Sequence, residues 1–327
     1  MRKNLLWLVS LLGLLLFISA CDSDDHSDKD NNNGNINENN NANDDGNNNI
    51  NNEENNQSEE AASEESDDRI VATTVALTEI MDELELDLVG IPTSYKDLPE
   101  RYADATEVGM AAEPDMEIMK SLKPTEVLSA TTLQAEYDLE PIFENADVPV
   151  TFVDMESVEG MYEGILELGE KYDRTEQAEG IVNDFEQKVA ETEERVEGKE
   201  SPTVLILLGI PGSYLVATEN SYIGDLVKRA GGVNAIQGEE VEFVSSNTEN
   251  LQQSDPDVIL RAAHGMPDEV VEMFDKEFEE NDIWKHFKAV ENDRVYDLEE
   301  TRFGTTANLA AVEALEELVE MLYPEES

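Results

Sequence analysis

The sequence predicts an α/β protein: two βα-type lobes bridged by one long, rigid helix and preceded by a disordered tether. Three observations carry that prediction. In the last 259 of the 327 residues, short β-branched runs alternate with amphipathic helical patterns, the order expected of parallel or mixed sheets. One long helical pattern, residues 173–196, divides these units into two sets. Ahead of them, residues 22–68 hold 16 Asn and 16 Asp or Glu, and their only apolar side chains are Ile36, Ile50 and three alanines. Such a segment buries too little apolar area to offset its ordering entropy. The boundaries read 1–20 for a signal peptide, 21–68 for the tether, 69–172 for the first lobe, 173–198 for the bridging helix and 199–327 for the second lobe.

Charge and cysteine content narrow the function. The chain carries 77 Asp and Glu against 21 Lys and Arg, a net charge of −56. That excludes nucleic acid as a partner, because there is no cationic face to neutralise phosphates. One cysteine excludes a disulfide framework and a cysteine-based zinc site, and three histidines leave little for histidine-rich metal chemistry. There is no nucleophile elbow, zincin helix or phosphate-cradling glycine loop. The chain reads as a binding protein rather than an enzyme.

The elements follow in order. Arg2 and Lys3 precede an apolar run of 16 residues, 5–20, shorter than the roughly 20 of a spanning helix and matching the apolar region of a secretory signal. It ends in Ile18-Ser19-Ala20-Cys21, which resembles a bacterial lipobox. Cys21 then becomes an acylated N-terminus, anchored by acyl chains in the outer leaflet. His26, within the tether, is a solvated side chain. Residues 69–72 form a strand, and 75–85 a helix with Ile80, Met81 and Leu84 on one face. A strand at 88–91 stops at Pro92; a short helix at 115–122 breaks before Pro124; a strand follows at 126–129. Residues 137–146 read as one helix and 150–153 as a strand. Val158, Met161, Ile165, Leu168 and Tyr172 then step by three and four, closing the first lobe with an amphipathic helix.

Asp173 and Glu176 have the spacing of a capping box for the bridging helix. Ala178, Ile181, Phe185 and Val189 mark one face, its length is about 33 Å, and Gly198 and Pro202 end it. Beyond it come strands at 203–208, 258–261 and 294–297, and helices at 222–230, 250–253, 269–278 and 308–322. Gly231 and Gly232 read as a helix C-cap. An internal echo supports paired lobes: Glu117 lies seven residues before Pro124 and Glu249 seven before Pro256, each followed by an aliphatic strand. A carboxylate near the start of each short helix is favoured by the helix dipole.

Six segments carry a family resemblance: RIVATTVALT (69–78), VGIPTSYK (89–96), PGSYLVAT (211–218), SSNTENL (245–251), HGMP (264–267) and NDIWKHFKA (281–289). In this order they resemble the haem-binding lipoproteins that serve Gram-positive haem-uptake ABC transporters, solute-binding proteins of the helical-backbone, class III type. The resemblance spans residues 69–323 and leaves the tether aside. It implies a ligand, haem b as cargo, in a cleft between two lobes that close little. It also implies a cognate ABC permease and ATPase as partners, surface haem-donor proteins upstream, a monomeric state, and a lipid-anchored position on the extracellular face of the plasma membrane. The alternative on the same fold is another iron chelate, a ferric siderophore, or a corrinoid.

His264 follows the strand at 258–261 and precedes Gly265 and Pro267, on a loop at a strand's C-terminal end, where ligands of open α/β sheets gather. The resemblance makes it the axial ligand of haem iron, and it places Val75 and Ala76, at the start of a helix, and Ser94 and Tyr95, at a pocket edge, in contact with the porphyrin. Helix-opening N–H groups suit a propionate, and Lys96 is a rim cation. The family's second axial ligand is a methionine that aligns here with Ala112, which cannot ligate. Met110, two residues earlier, is the candidate replacement and, if the loop is extended, points to the same side. Its alternative role is interior packing, and Met266 or an open sixth position competes for the iron. Tyr214 either lines the second lobe's wall or packs in its core. His286, beside Trp284 and Phe287, reads as a packing residue. In related binding proteins one acid per lobe pairs with permease arginines, which assigns Glu117 and Glu249 to docking.

The 259 residues after the tether carry a net −43. Like charges on one folded body repel at low salt and are screened at high salt, as in a surface adapted to saline or alkaline surroundings. Tm is therefore expected to rise by several degrees between low and molar NaCl; an unchanged Tm would count against that adaptation.

Overall fold

A computed structural model describes residues 68–245, 251 and 254–324; Cys21, the tether and Glu249 lie outside the described residues. The described elements all belong to the unit Glu64–Ser327. The first lobe is built from β1 (Ile70–Ala72), α1 (Val75–Glu83), β2 (Leu88–Ile91), β3 (Thr106–Glu107), β4 (Gly109–Met110), β5 (Glu113–Pro114), α2 (Met116–Leu122), β6 (Glu126–Ala130), α3 (Thr131–Tyr137), α4 (Glu140–Ala146) and β7 (Val150–Val153). Its main sheet is wholly parallel, in the order β3-β2-β1-β6-β7. Its inner strands β2, β1 and β6 are buried on both faces, so β1 and β2 read as short aliphatic runs rather than alternating ones, whereas the edge strand β3 is exposed.

Two helices, α5 (Val158–Lys171) and α6 (Thr175–Val196), lead to the second lobe. That lobe contains β8 (Thr203–Ile210), β9 (Ser213–Ala217), α7 (Tyr222–Arg229), β10 (Val233–Asn234), β11 (Phe243–Ser245), β12 (Val258–Ala263), α8 (Pro267–Glu280), α9 (Lys288–Glu291), β13 (Val295–Leu298) and α10 (Ala311–Leu322). Its sheet runs β11-β9-β8-β12-β13 with β10 also beside β8. The β8–β12–β13 part is parallel, whereas β9 pairs antiparallel with both β8 and β11. Pro211 and Gly212, the latter at φ +85°, make the two-residue turn between β8 and β9. Gly209 permits the approach of α8: a Cβ there would meet Val270 at 2.3 Å and Phe274 at 2.7 Å.

One apolar cluster runs through both lobes, taking Leu77 and Ile80 from α1, Ile165 from α5, Ala178, Val182 and Val189 from α6, and Leu226, Leu315 and Leu318 from the second lobe. A second cluster lies under α8, where the buried Trp284 stacks on Phe278 at 4.4 Å. Polar contacts seal the junction of the lobes. Asp225 on α7 accepts the Val158 N–H at 3.0 Å, and Arg229 reaches Asp225 at 3.0 Å, Glu193 at 3.5 Å and Glu159 at 3.9 Å.

Three expectations are corrected. Residues 137–146 are not one helix: Asp138 takes φ +49°, ending α3, and α4 starts at Glu140 behind the buried Leu139. The bridging helix has no capping box. Asp173 sits at φ +56° and Arg174 is the N-cap without a side-chain bond, so the chain turns sharply between α5 and α6 instead of entering α6 through an extended cap. His286 is exposed on a single 3₁₀ turn, because that turn directs Trp284 and not His286 into the core.

Glu126, at the start of strand β6, is only 6% exposed. It accepts from Thr151 at 2.6 Å and from Lys171 and Tyr172. Burial alone would raise its carboxyl; these hydrogen bonds, together with the Lys171 charge, outweigh burial and hold it below its ordinary 4.5. A depressed carboxyl stabilises the fold fully above its unfolded value, and that contribution is lost as pH falls through the lowered folded value. Glu126→Gln should therefore cost about 2 kcal/mol at pH 7, measured by urea unfolding, and the difference from wild type should shrink below pH 4. A pH-independent difference would contradict this account.

Candidate functional site

The site begins where parallel strands end. After β1, the Thr73 N–H bonds the Leu128 carbonyl at 3.0 Å, and the Thr74 hydroxyl accepts the Leu77 N–H at 3.2 Å as the N-cap of α1. Val75 and Ala76 occupy the first two helical positions, whose N–H groups have no intrahelical acceptor. Val75 is half-buried and Ala76 buried. An anion can be held there by backbone N–H groups and the positive end of the helix dipole.

After β2 the chain runs through Ser94, Tyr95 and Lys96. The Ser94 hydroxyl accepts the Lys96 N–H at 3.0 Å, fixing a tight local turn. The Tyr95 ring is 69% exposed, yet its hydroxyl donates to Glu300 of the second lobe. Burial of the hydroxyl and the adjoining Glu300 carboxylate both push the phenol above its ordinary range. Lys96 Nζ lies 3.4 Å from the Glu300 carbonyl oxygen and 4.0 Å from its Oε1.

His264 follows β12 directly. Its N–H donates to Gly209 at 2.9 Å, which ties the loop to the end of β8, and its side chain is exposed. Gly265, at φ +73°, donates to Glu300 Oε1 at 3.0 Å. Tyr95, Lys96 and the His264 loop thus meet at one carboxylate that sequence reasoning did not single out. The strand register finds it: Ala262 pairs with Leu298 in the parallel β12–β13 ladder, so His264 and Glu300 leave adjacent strand ends two residues later. Among 77 acidic residues, nothing in the sequence marks it.

Met110 is 57% exposed, which excludes interior packing. The loop around it is not extended. Met110 pairs with Glu113 in the β4–β5 hairpin, so residues 111 and 112 form its turn, and Ala112 and Met110 do not share a side by simple alternation. Met266 is 51% exposed at φ +49°, just before Pro267 opens α8. Tyr214 packs on Phe274 at 5.8 Å and Trp284 at 6.3 Å, and also lines an open cavity of about 450 Å³ with Met273, Lys276 and Glu277. Glu117 is exposed at the second position of α2, with its N–H capped by Asp115 at 2.9 Å. Among the described residues, no group of three or more His, Cys, Asp or Glu side chains can hold a bare metal ion. No described helix is long and apolar enough to cross a membrane.

Residues 70–301 match the family model described as periplasmic binding protein. The chain is 51% identical over 258 residues to the high-affinity heme uptake system protein IsdE of Staphylococcus aureus strain bovine RF122 / ET3-1, covering 78% of this chain and 87% of that protein. It is similar to the crystal structure of S. aureus IsdE complexed with heme, with TM-score 0.75 and 50% identity over 78% of this chain and 98% of that one. An ABC transporter substrate-binding protein from Listeria monocytogenes EGD-e gives TM-score 0.74 and 57% identity at the same coverage. A periplasmic heme binding protein from Pseudomonas aeruginosa, 21% identical with TM-score 0.66, shares the fold. With two α/β lobes bridged by a long helix and this degree of identity, the chain belongs to the periplasmic binding protein family, within its class III, as a substrate-binding protein of ABC transporters.

Proposed function

We propose that the protein captures haem in the cleft between its lobes and hands it to an ABC permease. The observation that carries this reading is the exposed His264 imidazole at the C-terminal end of β12, joined through Gly265 and Glu300 to Tyr95 of the opposite lobe. The 51% identity to a heme uptake protein supports the choice of cargo. Neutral imidazole is a common haem-iron ligand. The α1 N-terminus at Val75 and Ala76, the Ser94 hydroxyl and Lys96 supply donors for the two propionates, and the Tyr95 ring supplies an apolar face. Haem b is the form proposed.

For the sixth position the proposal is Met110, with Met266 or an open site as its competitors. A thioether there would raise the iron's reduction potential. The lobes are assigned to residues 69–172 and 199–327 with 173–198 between them. Cys21 carries the lipid anchor on the extracellular face of the plasma membrane, and the protein works as a monomer supplied by surface haem donors. Haemin titration of wild type should give a Soret shift at 1:1 stoichiometry, and His264→Ala should weaken binding by at least tenfold. Met110→Ala should alter the Soret and near-infrared bands. Tight binding of a ferric siderophore or corrinoid in place of haemin would overturn the cargo assignment.

Docking is proposed at Glu117 and Glu249, through arginines of the permease, whose cognate ATPase completes the transporter. The exposed start of α2 supports the first of these. Glu117→Ala combined with Glu249→Ala should abolish cellular haem uptake with haemin affinity unchanged; a double variant that transports normally refutes the docking role.

A further inference from the structure

Glu300 is 7% exposed, and its Oε1 atom gathers groups from both lobes: the Tyr95 hydroxyl, Lys96 Nζ at 4.0 Å and the Gly265 N–H at 3.0 Å. A second link runs from Lys96 Nζ to the Glu300 carbonyl oxygen at 3.4 Å. A carboxylate this buried is tolerated only when hydrogen bonds replace its water, so each donor is held as firmly as it holds the acid. The loop it grips is unusual. Gly265 and Met266 are consecutive residues at positive φ, +73° and +49°, a conformation that costs a non-glycine residue free energy and persists only where neighbouring contacts impose it. Two bonds impose it here: His264 N–H to Gly209 on one side, and Gly265 N–H to Glu300 on the other. The imidazole is carried between them.

We infer that Glu300 is a positioning residue of the cleft: it fixes the His264 loop and clasps the second lobe to Tyr95 and Lys96 of the first, setting the gap before cargo arrives. The clasp stands on the geometry alone; its effect on ligation rests on the haem reading above. Tyr95 contributes through its hydroxyl. This explains why an aromatic ring so exposed is nonetheless anchored at its tip.

Amide hydrogen exchange of the full-length, ligand-free chain tests the clasp. Glu300→Ala should speed exchange roughly tenfold at Gly265 and across residues 94–96. Glu300→Gln, whose amide oxygen accepts the same donors, should restore both. Tyr95→Phe removes one oxygen from an exposed ring, so it decides the matter even where Glu300→Ala does not fold. It should loosen residues 94–96 and leave Gly265 protected. Unchanged exchange at these sites in the folded variants, or a uniform increase along the whole chain with Tyr95→Phe silent, overturns the inference. With haemin, Glu300→Ala should broaden the Soret band into mixed ligation states that Glu300→Gln resolves to the wild-type form; an unaltered band overturns the positioning of His264. A wild type that binds no haemin sinks the cargo reading alone, because the exchange experiment still decides the clasp.

Discussion

The structure depends on Asp225. One of its oxygens accepts the first N–H of α5 and the Arg229 guanidinium, while Arg229 extends to α6 through Glu193 and to α5 through Glu159. Burial works against the Arg229 charge, and the neighbouring acids, Asp225 foremost, more than compensate, so the guanidinium is held above its ordinary range. Three helices from both sides of the molecule are pinned at one charged centre beside an apolar cluster that crosses between the lobes. Both side chains are half-buried, and removing Arg229 would leave Asp225, Glu159 and Glu193 facing one another without their shared cation. A junction of this kind resists hinge bending between the lobes.

That rigidity bears on how an acidic protein can hold an acidic ligand. With 77 carboxylates against 21 basic residues, a cluster of arginines around two propionates is not available. Arg261 is engaged with Asp275 and Asp297, and Arg302 with Glu299 and Glu317. The fold instead offers backbone dipoles. The opening turn of α1 presents N–H groups that need no side-chain cation and lose no side-chain entropy on binding an anion. Lys96 adds a charge at the rim, already drawn toward Glu300.

Periodicity made much of this fold legible. Strands at 70–72, 88–91 and 258–263 and the helices built on Val158 and Ala178 announce themselves because each buries a largely apolar run or stripe, and those at 126–130 and 150–153 because they are rich in β-branched and aliphatic residues. What escaped depends on single backbone conformations or on pairings distant in sequence. Asp138 and Asp173 turn left-handed, and an aspartate tolerates that conformation without leaving a pattern. The strands β9 and β10 are short and exist because β8 offers them a partner, and β11 exists because β9 in turn offers it an edge. Around the candidate site, the His264 loop and the Ser94–Lys96 segment stand out in the sequence as short motifs, while Glu300 becomes visible only when β12 and β13 are laid side by side.

The methionine question shows the same limit from the other side. Residues 110 and 112 would share a face in an extended chain, but the two-residue turn between β4 and β5 interrupts the alternation. A ligand at position 112 would stand on the hairpin's tip, whereas Met110 stands on its stem opposite Glu113. Moving a thioether from tip to stem changes both its distance from the cleft and the direction of its Cα–Cβ bond. Methionine accommodates such changes better than other side chains, because it is unbranched and turns about three bonds. At the foot of the hairpin Gly109 sits at φ +96°, where a Cβ would meet the Asp115 backbone nitrogen at 2.8 Å, so the stem requires glycine there. In the proposed haem site, therefore, Met110 would have to reach the iron by turning about its own side-chain bonds.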